Sequence, residues 1–199
     1  MPVTKADKTK QYIIEKVAPF FNKHGYTGTS MSDITKATGL TKGAVYGNFE
    51  NKEDLAIKAF NYTVKTRLWP VIEAINSQQT GVAKLRALTD FYRNYYDHVS
   101  EYGGCPVLNV GIDSLNHNHA LYNRVVSVIG KMTKGIQEVI EQAQSEGSIK
   151  GELDARSYAS KIYAQIQGSI FMAVVCKSNE NMKNMMDHID LMIDREMKN

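Results

Sequence analysis

The sequence has 199 residues, 43% of them hydrophobic and 23% charged, with a formal net charge of +3; this is an ordinary globular composition, long enough to bury a core. It contains no run of about 18 apolar residues to span a bilayer, its N-terminal stretch MPVTKADKTKQ lacks the apolar core of a secretory signal, and it has only two cysteines. A helical membrane protein is excluded, no membrane partner is expected, and a reducing cytoplasm is the expected compartment.

The charge is unevenly distributed. The first 52 residues hold eight lysines against four acidic side chains, whereas the remainder holds 16 basic against 17 acidic. All the positive excess lies at the N-terminal end, where it can neutralise phosphates and release condensed counterions. A merely solvated basic surface would give the same count.

Apolar residues recur with helical spacing and no alternating strand of useful length occurs, so an all-α fold is expected. The first helix runs over about Lys5 to His24, aligns Ile13, Ile14, Val17, Phe20 and Phe21, and stops at Gly25, a residue suited to a left-handed cap. Pro19 removes one backbone donor and predicts a local distortion, not two separate helices.

Three helix starts follow between Ser30 and Leu55. Ser30 has Asp33 three residues on, Thr41 precedes Lys42, and Asn51 has Asp54 three residues on; each side-chain oxygen can accept from an otherwise unpaired amide. Gly39 supplies the sharp turn between the first two. Ile34, Ala37, Leu40, Val45 and Phe49 supply a small apolar core, and the unit reads as a helix-turn-helix whose second helix enters the major groove.

That second helix is Lys42-Gly43-Ala44-Val45-Tyr46-Gly47-Asn48. Gly43, Ala44 and Gly47 leave little bulk and permit close approach to double-stranded DNA. Lys42 can donate to guanine or phosphate and Asn48 can bond a base edge or phosphate. The Tyr46 hydroxyl suits phosphate, and Lys52 adds a cation at the start of the next helix. A purely packing role is the alternative for Tyr46 and the expected one for Phe49.

Phe21, Gly25-Tyr26, Thr29-Ser30, Asp33-Ile34, Gly39-Leu40-Thr41, Tyr46, Phe49, Lys52 and Leu55 together resemble the DNA-binding domain of the tetracycline-repressor (TetR) family of bacterial transcription regulators. The resemblance covers about 35 residues. It implies a three-helix DNA-binding domain at 1–50 and a divergent helical domain at 51–199 that binds an effector and dimerises. Thr29, Lys42, Tyr46 and Lys52 match frequent DNA-contact positions, and the full expected interface is Thr29, Ser30, Thr41, Lys42, Gly43, Ala44, Tyr46, Gly47, Asn48 and Lys52. Thr35 and Gly47-Asn48 depart from the usual family residues, so operator preference does not carry over.

Further helical stretches are expected at 51–77, 82–101, 117–146, 154–176 and 181–197, punctuated by Gly81, Gly103-Gly104, Gly147, Gly151 and Asn179, with a kink at Pro70. In the segment Gly103 to Asn109, Pro106 suits a first helical position and Cys105 its N-cap, where amides favour a thiolate. The segment also resembles that of family members that sense electrophiles or oxidants; a small buried turn residue is the competing expectation for Cys105. Tyr62, Trp69, Phe91, Tyr95 and Tyr102 are either aromatic core or the lining of an effector pocket. The stripes Tyr158, Ile162, Ile166, Ile170 and Met182, Met186, Ile189, Ile193 fit ordinary core by composition; the resemblance implies that they pair with a second copy in a four-helix bundle.

The expected function is therefore a transcriptional repressor that binds an inverted-repeat operator as a homodimer and is released by a small effector or reactive electrophile. An enzyme is not expected, since Cys105 has no recognisable base with a third orienting group. No cofactor is expected and no metal, because His117 and His119 near Asp113 have only loop spacing. An architectural DNA-binding protein without an effector is the remaining alternative.

Overall fold

The computed structural model describes residues 4–199. Among them the chain forms ten α-helices: α1 (Lys5–His24), α2 (Met31–Thr38), α3 (Lys42–Tyr46), α4 (Lys52–Asn76), α5 (Gly81–Arg93), α6 (Tyr96–Glu101), α7 (Pro106–Ser114), α8 (His119–Ser145), α9 (Ala155–Cys176) and α10 (Glu180–Met192). A π-helical turn at Ile193–Met197 extends α10, and the pairing of Ile149 with Lys198 is an isolated bridge. The all-α expectation holds. The stretch expected as one helix over 82–101 is two, because α5 ends at Asn94 before α6 begins.

Two compact units share the chain, and their boundary is not at residue 50. One takes the chain up to Arg67 together with Tyr102–Ser127, and the other takes Leu68–Glu101 and Val128–Asn199. Both α4 and α8 continue covalently from one unit into the other. The sequence places a boundary where the helix-turn-helix pattern ends, but compactness follows burial: the first unit closes only when α7 is included.

The first unit is built on capped helix starts. Thr4 with Asp7 and Ser30 with Asp33 form capping boxes, and Thr41 Oγ1 accepts from the Ala44 amide at 3.2 Å. Hydrogen bonds from Ser30 hold the Asp33 carboxyl below its ordinary range. This contribution is present above the unfolded value and is lost as pH falls through the lower folded one. Ile13, Val17, Phe21, Ile34, Val45, Phe49 and Leu55 fill the interior.

Gly25 ends α1 with φ 72° and ψ 176°, a positive φ but not the left-handed helical cap expected. A Cβ there would stand 2.5 Å from Asp113 Cγ. Asp113 Oδ2 accepts from the amides of Tyr26 at 2.6 Å and Thr27 at 3.2 Å, so the glycine makes room for the carboxylate that closes this turn. Gly25→Ala is expected to destabilise the protein by about 2 kcal/mol, from backbone strain added to the clash. Chemical denaturation measures this; an unchanged midpoint would show that the turn relaxes freely.

The second unit packs α5, α9 and α10 around Leu85, Leu88, Tyr92, Ile162, Ile166, Ile170, Met182 and Ile189, all buried. An ionic seam joins α5 to α10: Arg93 meets Asp190 at 2.6 Å and Asp187 at 3.0 Å, and Arg86 meets Asp190 at 2.5 Å and Asp194 at 2.6 Å. Thr89 donates to Asp190 at 2.8 Å. Shared carboxylates in a network set helix register more firmly than isolated exposed pairs.

Candidate nucleic-acid interface

The helix-turn-helix presents one exposed side. Gly39 adopts φ 70° and ψ 13°, the left-handed conformation that reverses the chain between α2 and α3. With Val45 and Phe49 buried, Thr41, Lys42, Gly43, Ala44, Tyr46 and Gly47 are left exposed and Asn48 partly so. A Cβ on Gly43 would meet nothing within 4 Å. Its lack of side chain serves nothing inside the unit and leaves the surface of α3 low.

Lys42 Nζ stands 5.9 Å from the centroid of the Tyr46 ring, so cation and phenol share one side of α3. Asn48 Nδ2 donates to Ala44 O at 2.9 Å, which holds the amide against its own helix. Two further lysines, which motif reasoning missed, lie close by. Lys10 of α1 and Lys58 of α4 each stand 5.6 Å from the Phe49 ring and line, with Tyr46 to Glu50, a surface recess of about 310 Å3. The basic excess of the first 52 residues contained Lys10, but only the packing of α1 against the motif brings it here. Lys58 is ion-paired with Asp54.

Two of the expected contact residues have partners inside the first unit. Thr29 is 1% exposed and its hydroxyl donates to Gly25 O at 2.7 Å, so it closes the α1–α2 turn. Lys52 Nζ donates to Tyr26 O at 2.6 Å and lies 4.3 Å from that ring's centroid. Burial lowers the Lys52 pKa and Asp113 opposes that effect. Ser30 is exposed, but its hydroxyl is committed to Asp33 at 2.6 Å.

The aromatic residues expected around one effector pocket are divided between the two units. Tyr62 and Tyr102 line a space of only about 30 Å3 in the first unit, where the Arg67 guanidinium lies 3.1 Å from the Tyr102 ring centroid. That volume suits a water molecule, not a planar ligand. In the second unit Phe91 and Tyr95 stack with Tyr92 at centroid distances of 5.3 to 5.4 Å, filling space instead of enclosing it. Trp69 is exposed, its indole donating to Glu73 at 2.7 Å.

Cys105 precedes Pro106 at the start of α7, as expected, but it is 2% exposed. Burial pushes its thiol up, outweighing the amides of Leu108 and Val107 that act the other way. Of the two expectations for Cys105, the buried turn residue is the one this placement fits, since desolvation of an anion exceeds what one helix end returns. Cys176 is exposed. Iodoacetamide is therefore expected to label Cys105 at least about tenfold more slowly in the folded protein than in denaturant; equal rates by mass spectrometry would contradict this placement.

The expected dimer stripe also needs correction. Ile162, Ile166, Ile170, Met182, Met186, Ile189 and Ile193 are at most 1% exposed within a single chain, and Tyr158 is half-buried with its hydroxyl 3.3 Å from Glu196. These residues bind α9 to α10 and to the rest of their own unit. The outward apolar residues are instead Phe171, Met172 and Val175 of α9 and Leu191 of α10.

The N-terminal part matches the family profile described as bacterial regulatory proteins, tetR family, over residues 13–59, and residues 81–189 match that of the tetracyclin repressor-like C-terminal domain. The chain is 30% identical over 178 residues to an HTH-type transcriptional regulator in the lacX 3′ region of Lactococcus lactis subsp. lactis, covering 88% of each. It is 24% identical over 174 residues to the HTH-type transcriptional repressor DhaR of Mycobacterium sp. (strain GP1), covering 86% of this chain and 85% of that one. Among solved structures, a TetR-family regulator from Cytophaga hutchinsonii superposes with a TM-score of 0.92 at 29% identity, covering 100% of this chain and 98% of its own. One from Chloroflexus aurantiacus gives 0.92 at 31% identity over 98% of both chains.

Proposed function

The chain belongs to the TetR family of bacterial transcription regulators, and from that premise we propose that it is a repressor that binds an inverted-repeat operator as a homodimer and is released by a small-molecule effector. The observation that carries the DNA-binding part is the exposed face of α3, where Lys42, Tyr46 and a bare Gly43 surface stand together over a buried Val45 and Phe49. Lys42 and Tyr46 meet the DNA, with Thr41, Ala44, Gly47 and Asn48 around them. Thr29, Ser30 and Lys52 hold the turns that aim the helix.

Release requires an effector with different affinity for the DNA-competent and DNA-incompetent states, and by linkage operator DNA must weaken effector binding by the same factor. The bonds within the first unit support a route for such a change. Asn22 Nδ2 donates to Tyr102 O at 2.6 Å and Gly104 O at 3.0 Å, Asn109 Nδ2 donates to Asn22 O at 2.9 Å, and Asp113 holds the turn after α1. A rearrangement of residues 102–113 would thus reach α1 directly. The burial and raised pKa of Cys105 favour a non-covalent effector over an electrophile.

The test is recovery of the DNA fragments bound by the protein in its source organism. A shared inverted repeat whose affinity falls with one ligand supports a regulated repressor. Fragments without a common sequence, bound with equal affinity, would instead mark an architectural protein.

A further inference from the structure

The second unit holds a groove of about 370 Å3 for which DNA binding has no use. Ile72 and Ile75 of α4, Leu88 of α5 and Met132, Ile136 and Val139 of α8 form its walls. Leu88 and Ile136 are buried whereas Ile72 is 37% exposed, so the groove is apolar within and open to solvent. Its depth comes partly from Gly135, where a Cβ would meet nothing within 4 Å. A missing side chain in mid-helix, costly for helix propensity, leaves space over an apolar floor.

The polar lining is biased toward a cationic surface. Lys84 and Lys131 are both on it. Lys84 donates to Gln142 Oε1 at 2.7 Å, and Gln142 donates in turn to Gln79 O at 2.9 Å and Glu146 at 2.7 Å, so the ammonium is held in place by a neutral amide. Glu138, the one carboxylate of the lining, lies 3.7 Å from Lys134, which is not part of it. Apolar walls with two ammonium groups favour a ligand that has one anionic head and an apolar body. A cation would face both lysines, and a multiply charged phosphate would lose its hydration against six apolar side chains. The volume is at the lower end of the small-molecule range of about 300–1,000 Å3, suiting a single short chain or one aryl group.

We propose that this groove is a binding site for a small amphipathic monocarboxylate, with the apolar part against Ile72, Leu88 and Ile136 and the carboxylate met by Lys84 and Lys131. The site involves none of Tyr62, Trp69, Phe91, Tyr95 or Tyr102 as lining. Binding here is a property of the second unit and does not require the occupant to govern operator affinity.

Trp69, the only tryptophan, reports on it. It lies three residues before Ile72 on α4, on the same side of the helix. The full-length protein is titrated with decanoate and with 4-phenylbutyrate, below micelle-forming concentrations, following tryptophan emission and heat; the pair separates an alkyl from an aryl body. Decan-1-ol and decyltrimethylammonium are the neutral and cationic controls. Saturable carboxylate binding is expected, about tenfold tighter than the alcohol, the size of one charge-assisted contact. The double variant Lys84→Ala/Lys131→Ala is expected to lose that advantage while binding the alcohol unchanged. Gly135→Leu, which fills open space and improves helix propensity, is expected to abolish binding with its thermal midpoint kept. The proposal is overturned if decyltrimethylammonium binds as tightly as decanoate, or if Gly135→Leu binds like the unaltered protein. Carboxylate binding without any change in operator affinity supports the site and removes only its identification with the repressor's switch.

Discussion

Gly43→Glu is expected to lower affinity for the operator recovered from bound fragments by about 100-fold or more, a large part of the gap of about 1,000-fold or more between specific and non-specific binding, while the fold is retained. Gly43 is exposed in the first turn of α3, and a Cβ placed there touches nothing within 4 Å. The new side chain therefore costs the isolated protein little, and leaving glycine raises helix propensity. In the complex the same atoms would occupy the layer between α3 and the base edges and add a negative charge among phosphates. Fluorescence anisotropy with a labelled duplex measures the affinity, and circular dichroism with a melting curve checks the fold. Lys42→Ala is the milder companion, losing about tenfold and reducing the salt slope by about one if the ammonium meets a phosphate. Full affinity in Gly43→Glu would remove α3 from the DNA interface.

A second large effect is expected on the outer face of α9. Phe171, Met172 and Val175 are 55%, 43% and 61% exposed, an apolar row on one side of α9 that a second copy could cover. Ala164 and Gly168, also exposed, precede them at helical spacing, and Gly168 has open space around its Cα, so another helix can approach closely. Phe171→Glu with Val175→Glu is expected to raise the dimer dissociation constant by about 100-fold or more, since each variant places a charge in a contact that must be dry. Sedimentation should show a monomer with an unchanged helical spectrum, and operator affinity should collapse because a single half-site loses the gain of linked binding. Ile166→Glu is expected to behave differently, unfolding the second unit, because Ile166 is 0% exposed within one chain. If Ile166→Glu gave a folded monomer while the Phe171 and Val175 variant remained dimeric, the assignment of inner and outer faces would be reversed.

The contrast between those two faces explains where sequence reasoning stops. Both stripes of α9 have helical spacing, and periodicity identifies the apolar residues that share a side without stating what lies opposite. Ile162, Ile166 and Ile170 turn out to meet α10 and the rest of their own unit, leaving the shorter row at Phe171, Met172 and Val175 exposed. Thr29 and Lys52 pose the same problem on a smaller scale. Their motif positions are right, but whether a hydroxyl or ammonium faces DNA or a backbone carbonyl depends on the path of α1, and here the carbonyls of Gly25 and Tyr26 capture them.

The aromatic set poses a related problem. Spacing places Tyr62, Phe91, Tyr95 and Tyr102 on helices but cannot distinguish rings that enclose a space from rings that fill it, and Tyr92 and Tyr95 fill theirs. The groove at Gly135 was invisible because its defining feature is an absent side chain, seen only once α4, α5 and α8 are in place. For Cys105, the sequence located the helix start and left a reactive and a buried thiol open, and packing decided for burial.

By itself the sequence determined the all-helical class, the capped starts at Ser30 and Thr41, the left-handed turn at Gly39 and the short helix that follows it. All of these are local: a cap or a turn is complete within about five residues, and its chemistry is written in their side chains. Tertiary structure alone decided that the first unit recruits Tyr102–Ser127, that Asp113 closes the turn at Gly25, that Thr29 and Lys52 bond the carbonyls of Gly25 and Tyr26, and which face of α9 is left uncovered. Each of these joins residues distant in the chain, and which pairs meet is set by the burial of whole helices against one another, a sum over the entire core that no short stretch of sequence contains.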